Sequence, residues 1–273
     1  MRAGDFEILP VLDGRLMVPP ALMYENVSES DWAPHRQLLD ENGMIQMDVG
    51  GFLVRDGDRK ILIDIGVGFV ERLPEFGGKY LESLAALGQQ PDDITDVLFT
   101  HLHFDHIGWA SRESKPVFPN ATYRCHAKDW DYFVTRALPQ HAMAQMVGLP
   151  MATDAWLDGV EDRFELWDGD GNVLPGIDVR DAPGHTDGST VIVISSGTQR
   201  AVILGDAVHC PVELLEPEWA LIGDVDPALA KRTREALARE YEGTDIPLSA
   251  PHFPGMQFGR LLPAQGRTQW VFD

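Results

Sequence analysis

Three of the chain's nine histidines fall within six consecutive residues of the segment THLHFDHIGWA, residues 100–110. His101, His103 and His106 share this segment with one carboxylate, Asp105. Imidazoles and a carboxylate on so short a stretch compete for space and solvation, whereas a metal cation accepts lone pairs from all of them. The segment therefore predicts a metal site.

Three further residues of the same types follow apolar runs later in the chain. They are His185 in APGHTDGS, Asp206 in ILGDAVH and His252 in APHFP, each in a loop that contains Gly or Pro. Side chains at the same ends of neighbouring strands converge, and seven nitrogen and oxygen ligands exceed what one tetrahedral ion needs. Two ions bridged by a carboxylate and a water-derived hydroxide would use all seven.

Hydrophobic patterns and turn residues predict the elements that position these side chains. The runs GGFLVRDG and RKILIDIG flank the turn at 56–58 and predict a hairpin. KYLESLAALGQ has helical spacing, and ITDVLFT is typical of a buried strand that ends at the histidine segment. A strand at ATYRCH, a helix at AKDWDYFVTRAL and a polar, Met-rich stretch to about residue 160 follow.

The second half repeats the strand-rich pattern. GIDVRDAPGH predicts a strand and a loop, and STVIVISS, RAVILGDAVH and the short PLSAPHF predict further strands. DPALAKRTREALAREYEG is the clearest helix, with Asp226 as its cap, Pro227 in its first turn and Gly243 at its end.

No linker or low-complexity segment divides the chain, so residues 1–273 are expected to form one domain. Each half gives strands, then a loop with His or Asp, then a helix. We therefore predict an α/β fold, a four-layer αββα sandwich in which two mixed β-sheets pack face to face with helices outside.

Composition limits the partners. Forty-three acidic against 22 basic residues give a formal charge of −21, which repels phosphate backbones and anionic membranes and disfavours nucleic acid. No apolar run approaches the roughly 20 residues that span a bilayer, and MRAGDFEILPVLDG lacks the pattern of a secretory signal. Cys125 and Cys210 form no CxxC pair and are expected to be buried free thiols. We expect a soluble, cytoplasmic protein that acts on a small molecule.

Over residues 50–255 the chain resembles the metallo-β-lactamase-fold hydrolase superfamily. The resemblance lies in the HxHxDH segment, the distant GH, the GD after an apolar strand and the late single His. The resemblance implies two divalent ions, with Zn²⁺ expected and Co²⁺, Mn²⁺ or Fe²⁺ as alternatives. It implies that Asp64 in LIDIG supports the ligand histidines from behind. It also implies these ligands: His101, His103 and His185 for one metal, Asp105, His106 and His252 for the other, and Asp206 as the bridge.

The same residues also indicate which branch of the superfamily the chain resembles most. True β-lactamases commonly lack the aspartate of HxHxDH or carry Cys at the bridge, whereas this chain has Asp105 and Asp206. Glyoxalase II has a longer C-terminal region than this chain, and RNA-processing members have extra domains and positively charged surfaces, whereas this chain is acidic. Both branches are therefore disfavoured. GDAVH and DVDPALAKRTREAL…APHFPGMQFGRL are most similar to methyl parathion hydrolase and related lactonases. The resemblance therefore implies a hydrolase that opens a lactone, such as an acyl homoserine lactone, or a related ester.

This branch implies a mechanism in which a metal-bridging hydroxide attacks the carbonyl carbon. Asp105 is expected to carry the proton to the leaving group. N-acyl homoserine lactonases have a tyrosine three residues after the bridging Asp, where this chain has His209. We expect His209 to donate a hydrogen bond to the oxyanion; the alternative is that it only lines the wall.

The substrate pocket is expected to be apolar. Candidates are Met17, Met23, Tyr24 and Trp32 in the early loop GRLMVPPALMYENVSESDW, and Met146 in HAMAQMVGLPM. The alternative for these residues is ordinary core, or a contact between the two copies of a homodimer.

Other functions stay open on the same ligands. One is the hydrolysis of organophosphates, aryl esters or β-lactams. From other classes come an iron-dependent thiol or persulfide oxidoreductase and a non-catalytic binding module. The presence of all seven ligands disfavours the binding module, and metal content separates the hydrolase from the iron enzyme.

Overall fold

The computed structural model describes residues 1–264 and 266–273, and every element below lies within them. The strands are β1 (Arg2–Ala3), β2 (Phe6–Val18), β3 (Ile45–Asp56), β4 (Arg59–Ile63), β5 (Asp96–Leu98), β6 (Ser111–Arg112), β7 (Lys115–Pro116), β8 (Thr122–His126), β9 (Phe164–Trp167), β10 (Gly171–Leu174), β11 (Ile177–Asp181), β12 (Thr190–Ser196), β13 (Gln199–Ile203), β14 (Leu248–Ser249), β15 (Gly259–Ala264) and β16 (Arg267–Phe272). The α-helices are α1 (Tyr80–Ala86), α2 (Phe104–Ile107), α3 (Ala127–Trp130), α4 (Ala142–Met146), α5 (Asp154–Leu157), α6 (Val212–Leu215) and α7 (Pro227–Tyr241).

Two seven-stranded sheets carry the architecture. The first has the order β1-β2-β3-β4-β5-β8-β9 and is parallel from β4 to β9. The second has the order β10-β11-β12-β13-β14-β15-β16, and β13 and β14 are parallel. Because parallel strands end at the same edge of a sheet, β4 and β5 deliver their following loops together, as do β13 and β14.

Strand alternation builds one core between the sheets and one on each outer face. In β4, Ile61 and Ile63 pack into the central core with Ile192 of β12, whereas Leu62 faces the outer core that includes Leu84 of α1. Successive strand residues point to opposite faces, so apolar residues at every position bury both faces of a sheet.

The second sheet follows the same rule. Ile203 of β13 joins the central core, and Val202 faces an outer core with Leu237 and Tyr241 of α7. The predicted αββα layers are therefore present. Within the described residues no helix is long and apolar enough to cross a membrane.

Several predicted elements have the expected places. The hairpin is β3–β4, and α7 begins after Asp226, whose side chain accepts a hydrogen bond from Leu229 N (2.9 Å). The predicted helix at 127–138 is wrong in its extent, because α3 ends at Trp130 and a π-helical turn continues through Asp131–Thr135.

The N-terminal region is the main correction. The predicted early loop begins inside β2, which continues to Val18, and a 3₁₀ segment spans Glu29–Leu38. Asp13 and Gly14 lie at a shift in register between β2 and β3. A Cβ on Gly14 would lie 2.2 Å from the Phe76 carbonyl, so close packing, and not a turn, requires the glycine.

Candidate metal centre

The loops after the paired parallel strands carry the predicted residues. Asp64 and His101 follow β4 and β5, while Asp206 and His252 follow β13 and β14. His103 immediately precedes α2, whose first turn holds Asp105 and His106, and His185 lies between β11 and β12. All seven predicted ligands are buried.

The carboxylate of Asp206 lies at the centre of these side chains. Its Oδ1 is 3.2 Å from His106 Nε2. Its Oδ2 lies near the Nε2 atoms of four histidines: His209 (3.0 Å), His252 (3.2 Å), His185 (3.6 Å) and His101 (3.7 Å).

Two triads surround this carboxylate. His103 Nδ1 is 2.9 Å from the Nε2 atoms of both His101 and His185. On the other side, Asp105, His106 and His252 form a second group, with His252 Nε2 3.6 Å from Asp105 Oδ2. The structure thus brings all seven residues together; their roles as ligands stay predictions.

A hydrogen bond to a residue outside the cluster orients the His252 ring. His252 Nδ1 donates to the Asp48 carbonyl (2.7 Å), which leaves its Nε2 lone pair facing the carboxylates of Asp105 and Asp206. Bare lone pairs that face carboxylate oxygens repel each other unless a cation or proton lies between them.

Asp64 lies behind the histidines, as the resemblance implies. Its Oδ2 is 2.9 Å from His106 Nδ1, and its carboxylate accepts hydrogen bonds from Thr100 N (2.9 Å) and Thr100 Oγ1 (2.8 Å). Thr100 Oγ1 is also 3.2 Å from His101 Nδ1. Asp64 therefore contacts one histidine directly and a second through Thr100.

The residues fit a pair of divalent cations. Both ring nitrogens of His106 and Oδ1 of Asp206 are buried without a well-directed hydrogen bond from the described part of the chain. Burying such atoms without a partner costs about 1–3 kcal/mol each. Imidazole nitrogens with carboxylate oxygens form a donor set that suits Zn²⁺ and its neighbours in the first transition series.

The electrostatics favour positive charge at Asp206. The pKa values of His101 and His103 lie well below the usual range, mainly because both residues are buried and also because other imidazoles lie nearby. Burial alone would also lower the pKa of His106, but the Asp206 and Asp64 carboxylates raise it well above. For Asp206, burial acts to raise the pKa, and the surrounding histidines, led by His106, bring it well below the usual range.

His209 is also within this cluster. Its Nε2 is 3.0 Å from Asp206 Oδ2, and its Nδ1 is 3.8 Å from Glu213 Oε2. Burial would lower its pKa, but Asp206 and then Glu213 raise it to about 10. The His209 imidazole therefore faces the Asp206 carboxylate, and its role as a donor to the oxyanion stays a prediction.

Two buried carboxylates were missed from the sequence. Asp224 Oδ1 is 3.3 Å from His185 Nδ1, and its Oδ2 accepts from both terminal nitrogens of Arg234 (3.0 Å each). Glu213 accepts hydrogen bonds from His209 N (3.0 Å) and from the Tyr24 hydroxyl (2.7 Å). Nothing local distinguishes these residues from surface charges, because their partners come from distant segments.

The predicted pocket residues divide into two sets. Met23, Tyr24 and Trp32 are buried, and the rings of Tyr24 and Trp32 lie 5.9 Å apart beside Trp219. Met146 and Met17 are exposed (79% and 41%). His141, the first residue of HAMAQMVGLPM, lies close to the cluster, with its ring centroid 5.8 Å from that of His103.

Residues 51–242 match the model of the metallo-β-lactamase superfamily. Because this match covers more than half of the chain, the protein belongs to this superfamily. The N-acyl homoserine lactonase AiiA of Bacillus thuringiensis subsp. kurstaki is 24% identical over 223 residues, which cover 74% of this chain and 81% of that protein. A probable metallo-hydrolase of Methanocaldococcus jannaschii is 25% identical over 201 residues, 73% of this chain and 71% of that protein.

Solved structures agree on the fold. The crystal structure of AbOPH, a hydrolase in the β-lactamase superfamily, aligns with a TM-score of 0.84 at 28% identity, covering 99% of this chain and 95% of that one. AidC, a dizinc quorum-quenching lactonase, aligns with a TM-score of 0.82 at 24% identity, with the same coverage. The predicted fold and the family-level expectation of a metal-dependent hydrolase are confirmed.

Proposed function

We propose that this protein is a dinuclear metal-dependent hydrolase that opens lactones or cleaves related esters. The observation that carries this proposal is the Asp206 carboxylate, which lies within 3.7 Å of histidines from two separate triads. The lactonase relative AiiA supports the substrate class.

In this proposal, His101, His103 and His185 would hold one cation, Asp105, His106 and His252 would hold the other, and Asp206 would contribute to both sites. When bound, such cations would lower the pKa of a water molecule at the site and would polarise a carbonyl oxygen. Zn²⁺ is the expected metal, and residues 1–273 are taken as one domain.

The chain's own residues then supply proton transfer and orientation. Asp105 carries the proton from the attacking water to the leaving alkoxide, which stays tethered when a lactone opens. His209 donates a hydrogen bond from Nε2 to the carbonyl oxygen as negative charge develops on it. Glu213 holds His209 by accepting its backbone N–H (3.0 Å).

A substrate panel with elemental analysis tests the proposal. We expect two zinc-like ions per chain and the highest kcat/KM for acyl homoserine lactones or other lactones, above aryl esters, phosphotriesters and β-lactams. A higher kcat/KM for phosphotriesters or β-lactams would contradict the lactone assignment. One iron per chain with oxygen consumption would indicate the oxidoreductase, and two bound metals without turnover would indicate a binding module.

We infer a cytoplasmic location from the two cysteines. Cys125 and Cys210 are both free and buried, as predicted. Reduced thiols without a disulfide are typical of proteins from reducing compartments. A homodimer stays a prediction, which the mass in solution would decide.

A further inference from the structure

His141 lies at the rim of the cluster, on the side of the triad formed by His101, His103 and His185. A Cβ placed on Gly223 would be 3.6 Å from His141 Nε2 and 3.8 Å from His185 Cε1. The position beside Gly223 therefore lies within contact distance of both imidazoles. His141 belongs to neither triad, and the proposed mechanism does not use it.

The neighbouring Gln140 fixes the position of His141. Its side-chain oxygen accepts a hydrogen bond from Phe104 N (2.9 Å), and its side-chain nitrogen donates to the Leu102 carbonyl (2.9 Å). Because Leu102 and Phe104 flank His103, the residue next to His141 is anchored directly to the histidine segment. The backbone next to His141 is therefore held against the histidine segment.

A backbone contact determines which nitrogen of His141 carries the proton. Its Nδ1 accepts a hydrogen bond from Met143 N (3.3 Å) at the start of α4. A nitrogen that accepts this bond carries no proton, so the neutral ring has its proton on Nε2. Nε2 is the atom that lies beside Gly223, so His141 presents a hydrogen-bond donor there.

Exposed apolar side chains lie close to Gly223 in the chain. Ile222 and Val225, close to Gly223 in the chain, are 53% and 59% exposed. Ile222 N donates to the Met23 carbonyl (2.9 Å), and Val225 N donates to the His185 carbonyl (3.3 Å). This segment is therefore held against the cluster with apolar surface free, which suits a ligand that joins an apolar chain to a polar group.

We propose that His141 is a substrate-binding residue, whose Nε2–H donates a hydrogen bond to a carbonyl oxygen of the substrate's acyl side chain, outside the reacting ester. This inference rests on the proposed lactonase and esterase function. An amide or ester carbonyl at the start of an apolar chain supplies the acceptor, and the chain then lies along Ile222 and Val225.

The test compares the wild type with His141→Phe, which keeps a ring without a donor, and His141→Gln, which keeps a donor N–H. Two substrates are used: N-hexanoyl homoserine lactone, and an alkyl-substituted γ-butyrolactone that lacks the amide. Loss of one neutral hydrogen bond should raise KM for the amide lactone about 3- to 10-fold in His141→Phe. We expect kcat, metal content and KM for the alkyl lactone to stay unchanged, and His141→Gln to restore most of the loss.

An equal rise in KM for both lactones would overturn the proposal, since His141 would then act through shape alone. A fall in metal content would overturn it as well, because His141 would then be a ligand. Gly223→Val, which occupies the position beside Nε2, should also raise KM for the amide lactone, and an unchanged KM would count against this position as the binding site.

Calorimetry separates this inference from the proposed function. Ring-opened N-hexanoyl-homoserine should bind the metal-loaded wild type about 3- to 10-fold more tightly than His141→Phe, whether or not any lactone is turned over. Equal affinities, or no binding by the wild type, would refute the role of His141. Binding with the expected difference but without turnover would refute only the hydrolase.

Discussion

Asp206 lies between the two triads and is the proposed bridge between their cations. Asp206→Asn keeps the side-chain shape but removes the charge that offsets two cations, so we predict loss of turnover and of bound metal while the fold survives. Elemental analysis, turnover and circular dichroism would be measured together. Asp187→Asn is the matched control, because Asp187 is an exposed carboxylate two residues after His185. Full activity with two bound metals in Asp206→Asn would refute the bridging role.

His209→Ala tests the donor proposed for the oxyanion. We expect kcat to fall about 10- to 1,000-fold, the scale of losing one such hydrogen bond, with unchanged metal content. His209 Nε2 lies only 3.0 Å from Asp206 Oδ2, so elemental analysis is essential. Loss of bound metal would indicate that His209 is a further ligand. A change that is confined to KM and varies with acyl size would indicate that His209 lines the pocket wall. An unchanged kcat across several substrates would exclude the donor role.

Residue chemistry explains how much of the site the sequence could predict. His101, His103, Asp105 and His106 are recognisable because they lie within one short segment. Asp224, Glu213 and His141 are not recognisable in this way, because each gains its role from a partner on another element. His141 lies close to His103, and the neighbouring Gln140 binds the histidine segment.

At the scale of elements, α3 holds two of the ligand loops together. Asp129 accepts hydrogen bonds from Leu102 N (2.9 Å) and Gly188 N (2.8 Å), which lie in the loops of His103 and His185. Asp129→Ala leaves both buried donors unpaired, so we predict a loss of about 2 to 4 kcal/mol in the free energy of unfolding, together with weaker metal binding. Urea denaturation and metal titration would measure these effects.

The matched control for this helix is Asp131→Ala, because the Asp131 side chain is 57% exposed. We expect this variant to change the free energy of unfolding by less than about 0.5 kcal/mol. Equal stability of the Asp129 and Asp131 variants would show that the ligand loops do not depend on α3.

Asp129 also gives the fold a pH dependence. Burial raises its pKa from 3.8 to about 6, although Leu102 N and the Thr186 hydroxyl donate to it. Between pH 3.8 and about 6, the folded state therefore binds a proton that the unfolded state releases. This proton uptake stabilises the folded state as the pH falls, and the stabilisation is lost as the pH rises through 6. Relative to Asp129→Asn, the wild type should gain free energy of unfolding between pH 7 and pH 5. A difference that is constant with pH would contradict this.

The strands also show where hydrophobic patterns in the sequence fail to predict the structure. Continuous apolar runs such as KILID and VIVIS predict strands correctly, because these strands are buried on both faces. β2 was missed because Pro10, Asp13 and Gly14 interrupt its pattern, and its register shift depends on packing against Phe76. The short β14 could be predicted only as a run that delivers His252, since its pairing is with β13, far away in the chain.

At the scale of the whole molecule, the two sheets bring buried imidazoles and carboxylates from both halves of the chain into one place. The loops of the first sheet supply His101, His103, Asp105 and His106, and those of the second supply the remaining proposed ligands. The chain's formal charge of −21 also favours cation binding over anion binding at long range. Metal binding is therefore expected to stabilise the contact between the sheets as well as to enable turnover.

Prolonged chelation should accordingly abolish activity and lower the melting temperature by about 5 to 10 °C, the shift expected when a ligand well above its Kd is removed from a domain of this size. Zn²⁺, Co²⁺ or Mn²⁺ should restore both properties, because an all-His/Asp ligand set is permissive among divalent ions. Asp206→Asn serves as the control, since a protein that has already lost its metal should show little change on chelation. Undiminished activity in protein that elemental analysis shows to be metal-free would refute the metal dependence. In that case protons alone would offset the negative charge of the buried carboxylates.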